Sequence, residues 1–302
     1  MSTTTEPGEL CGLVPAARQI AGTVLSQREL AHQTYAVRIA APELAQEIRP
    51  GQFFMVRPAI GTDPLLGRPF ALYDTILDDN GTPIAFEFAY HVIGKMTALM
   101  SQWRDGVAVE LWGPLGNGFP VFRGKHLLCV GGGIGYTPFL AVARETMGLR
   151  RYGTESSRYQ SFEPAKVSFA YGVQSRKHRA DLADFDPLAE LRIHLATDDG
   201  SEGRKGFVTE VLTELLERQG DDRPDGVYCC GPEPMMHAVA RICRDKNVRC
   251  WLSLETPMAC GFGACFSCVT RVRDTDSENG WDYRRTCVEG PIFPAESLFL
   301  PE

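Results

Sequence analysis

Near its C-terminus the chain reads Cys260-Gly-Phe-Gly-Ala-Cys265-Phe-Ser-Cys268, and Cys287 follows, a C-x4-C-x2-C-x18-C pattern. No other feature narrows the fold as much. If the four thiols share a ligand, one short loop and one later segment must converge on a single point. This is the plant-type spacing for a [2Fe–2S] cluster. Gly261 and Gly263 suit a loop that wraps closely and aims backbone N–H groups at sulfur. A structural zinc site is the competing reading, but such sites usually use two separate C-x2-C knuckles and only one such step occurs here. Four unrelated buried thiols are the third reading. Cys260, Cys265, Cys268 and Cys287 are therefore the candidate metal ligands. Of the six remaining cysteines, Cys11, Cys129, Cys229, Cys243 and Cys250 read as small hydrophobes in apolar runs. Cys230 differs, because it opens a turn discussed below.

Thiol chemistry of this kind fits a reducing compartment, and the remaining sequence agrees. Met1 to Leu10 is polar and acidic, with no apolar signal core. No stretch approaches the ~20 apolar residues that cross a bilayer. The expectation is a cytoplasmic protein with no membrane segment. With 31 basic and 38 acidic residues the formal charge is −7, which argues against nucleic acid and anionic lipid as partners.

At 302 residues, about two domains and a smaller third are expected. From residue 18 to 123 short alternating runs (Ala21 to Ser26, Thr34 to Ile39, Gln52 to Val56, Ile84 to Val92, Val107 to Leu111) predict an antiparallel barrel or sandwich. From 124 to 247 strands and helices alternate, which predicts an open parallel α/β sheet. The strands are His126 to Val130, Val167 to Tyr171, Leu191 to Ala196 and Val227 to Cys230. The helices are Pro138 to Met147, Val208 to Arg218 and Pro234 to Lys246. Residues 248–302 form the small cysteine-bearing segment. Leu149 to Pro164 reads as an exposed insertion, and the first seventeen residues as a flexible extension.

Val130-Gly131-Gly132-Gly133-Ile134-Gly135-Tyr136-Thr137-Pro138 follows a strand and opens a helix. That arrangement gathers backbone N–H groups for a pyrophosphate, although it is not a strict G-x-G-x-x-G. Cys230-Gly231-Pro232-Glu233-Pro234-Met235-Met236 follows a later strand. In an open parallel sheet ligands bind beyond the carboxyl ends of the strands, so both turns are expected on one rim as a single dinucleotide site. Gly67-Arg68-Pro69-Phe70-Ala71-Leu72-Tyr73 offers an arginine fork suited to phosphate, or simply a surface arginine. In Gly94-Lys95-Met96-Thr97 the threonine can cap a helix.

In this order the motifs resemble the ferredoxin–NADP reductase superfamily. Met258 to Val269 and Cys287-Val-Glu-Gly-Pro-Ile-Phe293 are similar to the electron-transfer subunits of NAD-dependent dihydroorotate dehydrogenases. The resemblance implies FAD in the barrel, contacted by Arg68, Pro69, Phe70, Ala71, Ala89, Tyr90, His91, Met96 and Thr97. Ala71 stands where the family usually has Ser or Thr, and Met96 where it usually has Gly. The resemblance further implies NAD(H) on the Gly131–Gly135 and Cys230–Pro232 turns. It implies an FMN-containing catalytic partner in a heterotetramer of two of each chain, and a role in pyrimidine synthesis. Electrons would pass from that FMN through [2Fe–2S] and FAD to NAD⁺, with no acid–base residue required here. Subunits of electron-bifurcating ferredoxin:NADP oxidoreductases or sulfide dehydrogenases share most of these motifs and are the alternative. A zinc-stabilised binding protein on the same scaffold is a third. The Ser175-Arg176-Lys177 run offers a seat for the 2′-phosphate of NADP, or is a solvated loop. Phe262, Phe266 and Phe293 are expected on the partner surface beside the cysteines.

Overall fold

The computed structural model describes residues 17–300. Cys11, and all of the expected N-terminal extension except Ala17, lie outside them. The first unit is a curled antiparallel sheet of β1 (Arg18–Ala31), β2 (Thr34–Ala40), β3 (Phe53–Pro58), β4 (Arg68–Ala71), β5 (Asp74–Leu77), β6 (Pro83–His91) and β7 (Ala108–Leu115). Its strand order is β4-β3-β7-β1-β2-β6-β5. Alternation along β6 sends Phe86, Phe88 and Tyr90 inward and leaves Glu87 to Arg28 and Arg38 on the outer face. β4 and β5 are free edges, so hydrogen bonds do not close the barrel. Phe70 on β4 packs on Phe88 at 4.9 Å between ring centroids and covers the gap. The helices α1 (Pro42–Glu47) and α2 (Lys95–Met100) plug this half-barrel with Leu44, Met96 and Met100.

The second unit is a seven-stranded sheet. It contains β8 (His126–Gly132), β9 (Lys166–Val173), β10 (Arg192–Thr197), β11 (Arg204–Lys205), β12 (Gly226–Cys230) and β13 (Arg249–Ser253). The cysteine-bearing segment adds the hairpin β14 (Val269–Arg273) and β15 (Trp281–Arg285), then β16 (Ile292–Pro294). The order is β11-β10-β9-β8-β12-β13-β16, parallel except that β16 runs antiparallel to β13. β8 is buried throughout, as a central parallel strand covered on both faces must be. Helix α3 (Phe139–Thr146) packs on one face of the sheet. Helices α4 (Val208–Leu216) and α5 (Glu233–Asp245) cover the other. α5 buries Met236, Val239, Ala240 and Cys243, the i, i+3, i+4, i+7 stripe of an amphipathic helix.

Two expectations change. The sheet continues past residue 247, because β13 and β16 belong to it, and β16 makes it mixed rather than wholly parallel. The Leu149 to Pro164 stretch is not a simple exposed insertion. Tyr152 and Tyr159 are buried. The Tyr152 hydroxyl donates to Asp74 at 2.7 Å, and Tyr159 donates to Glu145 at 2.6 Å. Arg144 and Arg150 also pair with Asp74, so this stretch clamps the sheet to the half-barrel. Its polar composition hid that role, since the buried polar groups are satisfied by one another. No helix among the described residues is long and apolar enough to cross a membrane.

Candidate functional site

The two glycine-bearing turns meet as expected. β8 and β12 are neighbours, with Cys230 opposite Gly131 in the register. A Cβ on Gly135 would fall 2.4 Å from the Cys230 carbonyl oxygen, so only glycine permits this approach. Gly132 lies against Met235 and Pro232, and Ile134 packs half-buried on the core beneath. Gly133 faces open space. Burial pushes the Cys230 thiol up to about 12 against a hydrogen bond from Ser253, so it is a neutral thiol at neutral pH.

The Thr197-Asp198-Asp199-Gly200-Ser201 turn at the end of β10 escaped the sequence reading. It lies beside the basic run: Ser201 accepts the Arg176 amide at 2.8 Å, and Arg179 pairs with Glu202 at 2.9 Å. Two exposed carboxylates therefore stand next to Arg176 and Lys177. The available signal was an Asp-Gly turn directly after an apolar strand.

In the half-barrel the expected flavin residues divide. Arg68 donates to the Leu66 and Gly67 carbonyls at 2.9 and 3.1 Å and is in no ion pair among the described residues. Pro69 and Ala71 lie on the edge strand β4. Phe70 and Tyr90 are 6.0 Å apart, and the Tyr90 hydroxyl donates to Gln27. Ala89 faces the nucleotide-type unit, and His91 shares a hydrogen bond with Thr34 at 3.0 Å. Met96 is buried in the barrel core, leaving only its backbone for a ligand. Thr97 accepts the Ile93 and Gly94 amides at 3.0 and 3.1 Å, so its hydroxyl caps α2 as its sequence position allowed. An ion pair between Lys95 and Asp63 joins the start of α2 to the loop before β4.

The cysteine loop rests on the outer face of β3 and β7, where Phe53, Met55, Leu115, Cys268 and Cys287 form one buried cluster. Gly261, at φ +80°, lies directly on Met55. Cys268 and Cys287 lie together in that cluster, whereas Cys265 is exposed, with its sulfur 3.1 Å from the Ser267 hydroxyl. Burial acts upward on Cys265, but hydrogen bonds from Ser267 and Cys260 bring it down to about 6. The bond with Cys287 brings Cys268 down to about 6 despite burial, and pushes Cys287 far up. Among the described residues no three His, Cys, Asp or Glu side chains are gathered as a single-ion site.

Tethers missing from the sequence reading hold this loop. The Trp112 indole N–H donates to the Cys260 carbonyl at 2.7 Å. Asn117 donates to the Glu289 and Ile292 carbonyls at 3.1 and 2.8 Å, and accepts the Ile292 amide at 3.1 Å. Arg285 donates to the Gly263 carbonyl at 3.0 Å and stacks over the Phe266 ring at 4.8 Å. Phe266 and Phe262 are exposed, whereas Phe293 is 6% exposed and packs in the sheet core through β16. Phe293 therefore does not belong to the exposed surface expected beside the cysteines.

A half-barrel joined to a nucleotide-type sheet, with a four-cysteine segment lodged against it, is the ferredoxin–NADP reductase-like fold with an iron–sulfur extension. One solved structure, of an NADH-dependent reduced ferredoxin–NADP oxidoreductase, overlays with a TM-score of 0.74 at 24% identity. It covers 92% of this chain and 89% of that one. A ferredoxin reductase of carbazole 1,9a-dioxygenase overlays at 0.61 with 23% identity, over 78% and 68% of the two chains. The iron–sulfur cluster binding domain of dihydroorotate dehydrogenase B matches residues 255–299, and the oxidoreductase NAD-binding domain matches 129–241. The electron transfer subunit of dihydroorotate dehydrogenase B (NAD(+)) from Bacillus caldolyticus is 38% identical over 283 residues, covering 92% of this chain and 97% of the relative. Its counterpart from Caldanaerobacter subterraneus subsp. tengcongensis is 34% identical over 277 residues, with the same coverage. The chain belongs to the family of dihydroorotate dehydrogenase B (NAD(+)) electron transfer subunits.

Proposed function

We propose that this chain passes electrons from the FMN of a dihydroorotate dehydrogenase catalytic subunit to NAD⁺, in pyrimidine synthesis, from the cytoplasm. The partner assembly is a heterotetramer of two of each chain. The flavin barrel spans residues 18–123, the nucleotide domain 124–247 with its sheet completed by β13 and β16, and the cluster segment the rest.

The observation that carries this reading is the placement of Cys268 and Cys287 in one buried cluster on the barrel wall, with the loop that bears Cys260 and Cys265 laid over the same wall at Gly261. A [2Fe–2S] core takes two thiolates on each iron. Cys260, Cys265, Cys268 and Cys287 supply four such thiolates, and the Ser267 hydroxyl lies 3.1 Å from the Cys265 sulfur.

When bound, the cluster supplies one-electron relay and FAD supplies the exchange between single electrons and hydride. The chain supplies position. Arg68 offers its guanidinium to the flavin phosphates, with backbone groups of Ala71, Met96 and Thr97 beside it. Pro69, Phe70, Ala89, Tyr90 and His91 wall the flavin. Gly131, Gly132, Gly133, Ile134 and Gly135 receive the dinucleotide pyrophosphate, and Cys230, Gly231 and Pro232 border the nicotinamide. Asp198 and Asp199 favour NAD over NADP, because carboxylates accept from ribose hydroxyls and repel a 2′-phosphate. Phe262 and Phe266 face the catalytic partner.

The test is an anaerobic visible spectrum of the purified chain titrated with NADH, with iron, sulfide and flavin assays. FAD near one per chain, with iron and sulfide in [2Fe–2S] ratio and bleaching by NADH, is expected. A colourless, zinc-containing protein overturns the reading.

A further inference from the structure

We infer that Trp112 is a positioning residue that sets the spacing between the cysteine loop and the strand that receives the flavin. The inference rests on the functional reading above. Trp112 lies on the outer face of the barrel in one cross-strand row, with Met55 opposite it on β3 and Pro69 opposite Met55 on β4. Its indole N–H donates to the carbonyl of Cys260, the first of the four cysteines. The far edge of the same ring meets Gly67, the residue before Arg68. A Cβ built there would fall 2.4 Å from the indole Cη2. One flat side chain with two torsions therefore touches the backbone of a ligand at one end and the entry to β4 at the other. Met55, its neighbour in the row, sits under Gly261 and closes the space beneath. Because both ends of the indole are held, its length fixes the gap. Electron transfer falls off steeply with distance, so that gap governs the exchange between flavin and cluster.

The experiment compares the wild-type chain with Trp112→Phe, which keeps an aromatic ring in the row but is shorter and loses the N–H, and Trp112→Leu, which loses the ring as well. Iron, sulfide and FAD are assayed. Anaerobic stopped-flow with NADH follows flavin bleaching, and freeze-quench paramagnetic resonance follows cluster reduction. Trp112→Phe is expected to keep wild-type cofactor content and flavin bleaching. Its cluster reduction is expected to slow about tenfold or more, the scale of effect that a small misplacement produces, with a broadened cluster signal. Trp112→Leu is expected to slow it further. Wild-type rates and an unchanged signal in Trp112→Phe overturn the inference, as does loss of the cluster from that variant, which marks a merely structural role. A wild-type chain without FAD, iron and sulfide brings down the functional reading, and this inference with it.

Discussion

The Gly131–Gly135 turn and the Cys260–Cys268 loop both use glycine to bring backbone close to a partner, yet they are held in opposite ways. The first is walled by main chain. β8 and β12 are hydrogen-bonded neighbours, and the Cys230 carbonyl fills the space where a Gly135 side chain would go. The second is tied at the surface by single side chains from distant segments, Trp112 and Arg285. Cys265 and Phe266 stay exposed. A turn built into a sheet exists with or without its ligand. A loop held by a few side-chain bonds is completed by what it binds.

The sharpest way to break this contrast is Cys287→Ser or Cys268→Ser. Either is expected to abolish iron and sulfide incorporation while FAD content and flavin bleaching by NADH persist. Loss of both cofactors together shows that the two sites are one cooperative structure. Gly135→Ala makes the reciprocal cut. The added methyl meets the Cys230 carbonyl, which costs about 1–3 kcal/mol of overpacking. NADH bleaching is expected to fail with the cluster retained, as iron assay and urea melts will show.

Asn117→Ala is a gentler test of the tethers. It removes three hydrogen bonds to the segment after Cys287 and costs about 1–3 kcal/mol through the groups left unpaired. Faster iron release to a chelator is expected, with unaltered flavin bleaching. The smallest effect concerns pH and the nucleotide domain alone. Burial, then the Lys166 charge, lower His126 from 6.5 to about 4. Its Nε2 shares a hydrogen bond with Ser168, and its Nδ1 has no partner. The folded state thus holds His126 neutral while the unfolded chain takes up a proton. Stability from this residue is full above about pH 6.5 and declines as pH falls toward 4. Urea melts across that window are expected to show this slope, and His126→Asn to flatten it.

How much of this was legible beforehand follows from the range of each interaction. The cysteine pattern, the Gly131–Gly135 turn and the stripes of α4 and α5 are local, so they are visible in sequence. β4 and β5 are four residues each, too short to carry a period. β13 and β16 lay hidden in a segment dominated by its cysteines. Trp112 reaches Cys260 across 148 positions and Asn117 reaches Ile292 across 175, distances over which no spacing rule operates. Tyr152 and Tyr159 sat in a stretch whose polar composition resembles a loop.

The sequence by itself determined which thiols are candidate ligands and which turn gathers backbone N–H groups, because both depend on residue type and near spacing. Only the tertiary structure decided that the cysteines sit on the wall shared with β4, that Met96 faces the core and that Phe293 is buried. Those facts depend on which strand lies beside which. That is settled by burying apolar surface over the whole chain, a sum that no local pattern contains.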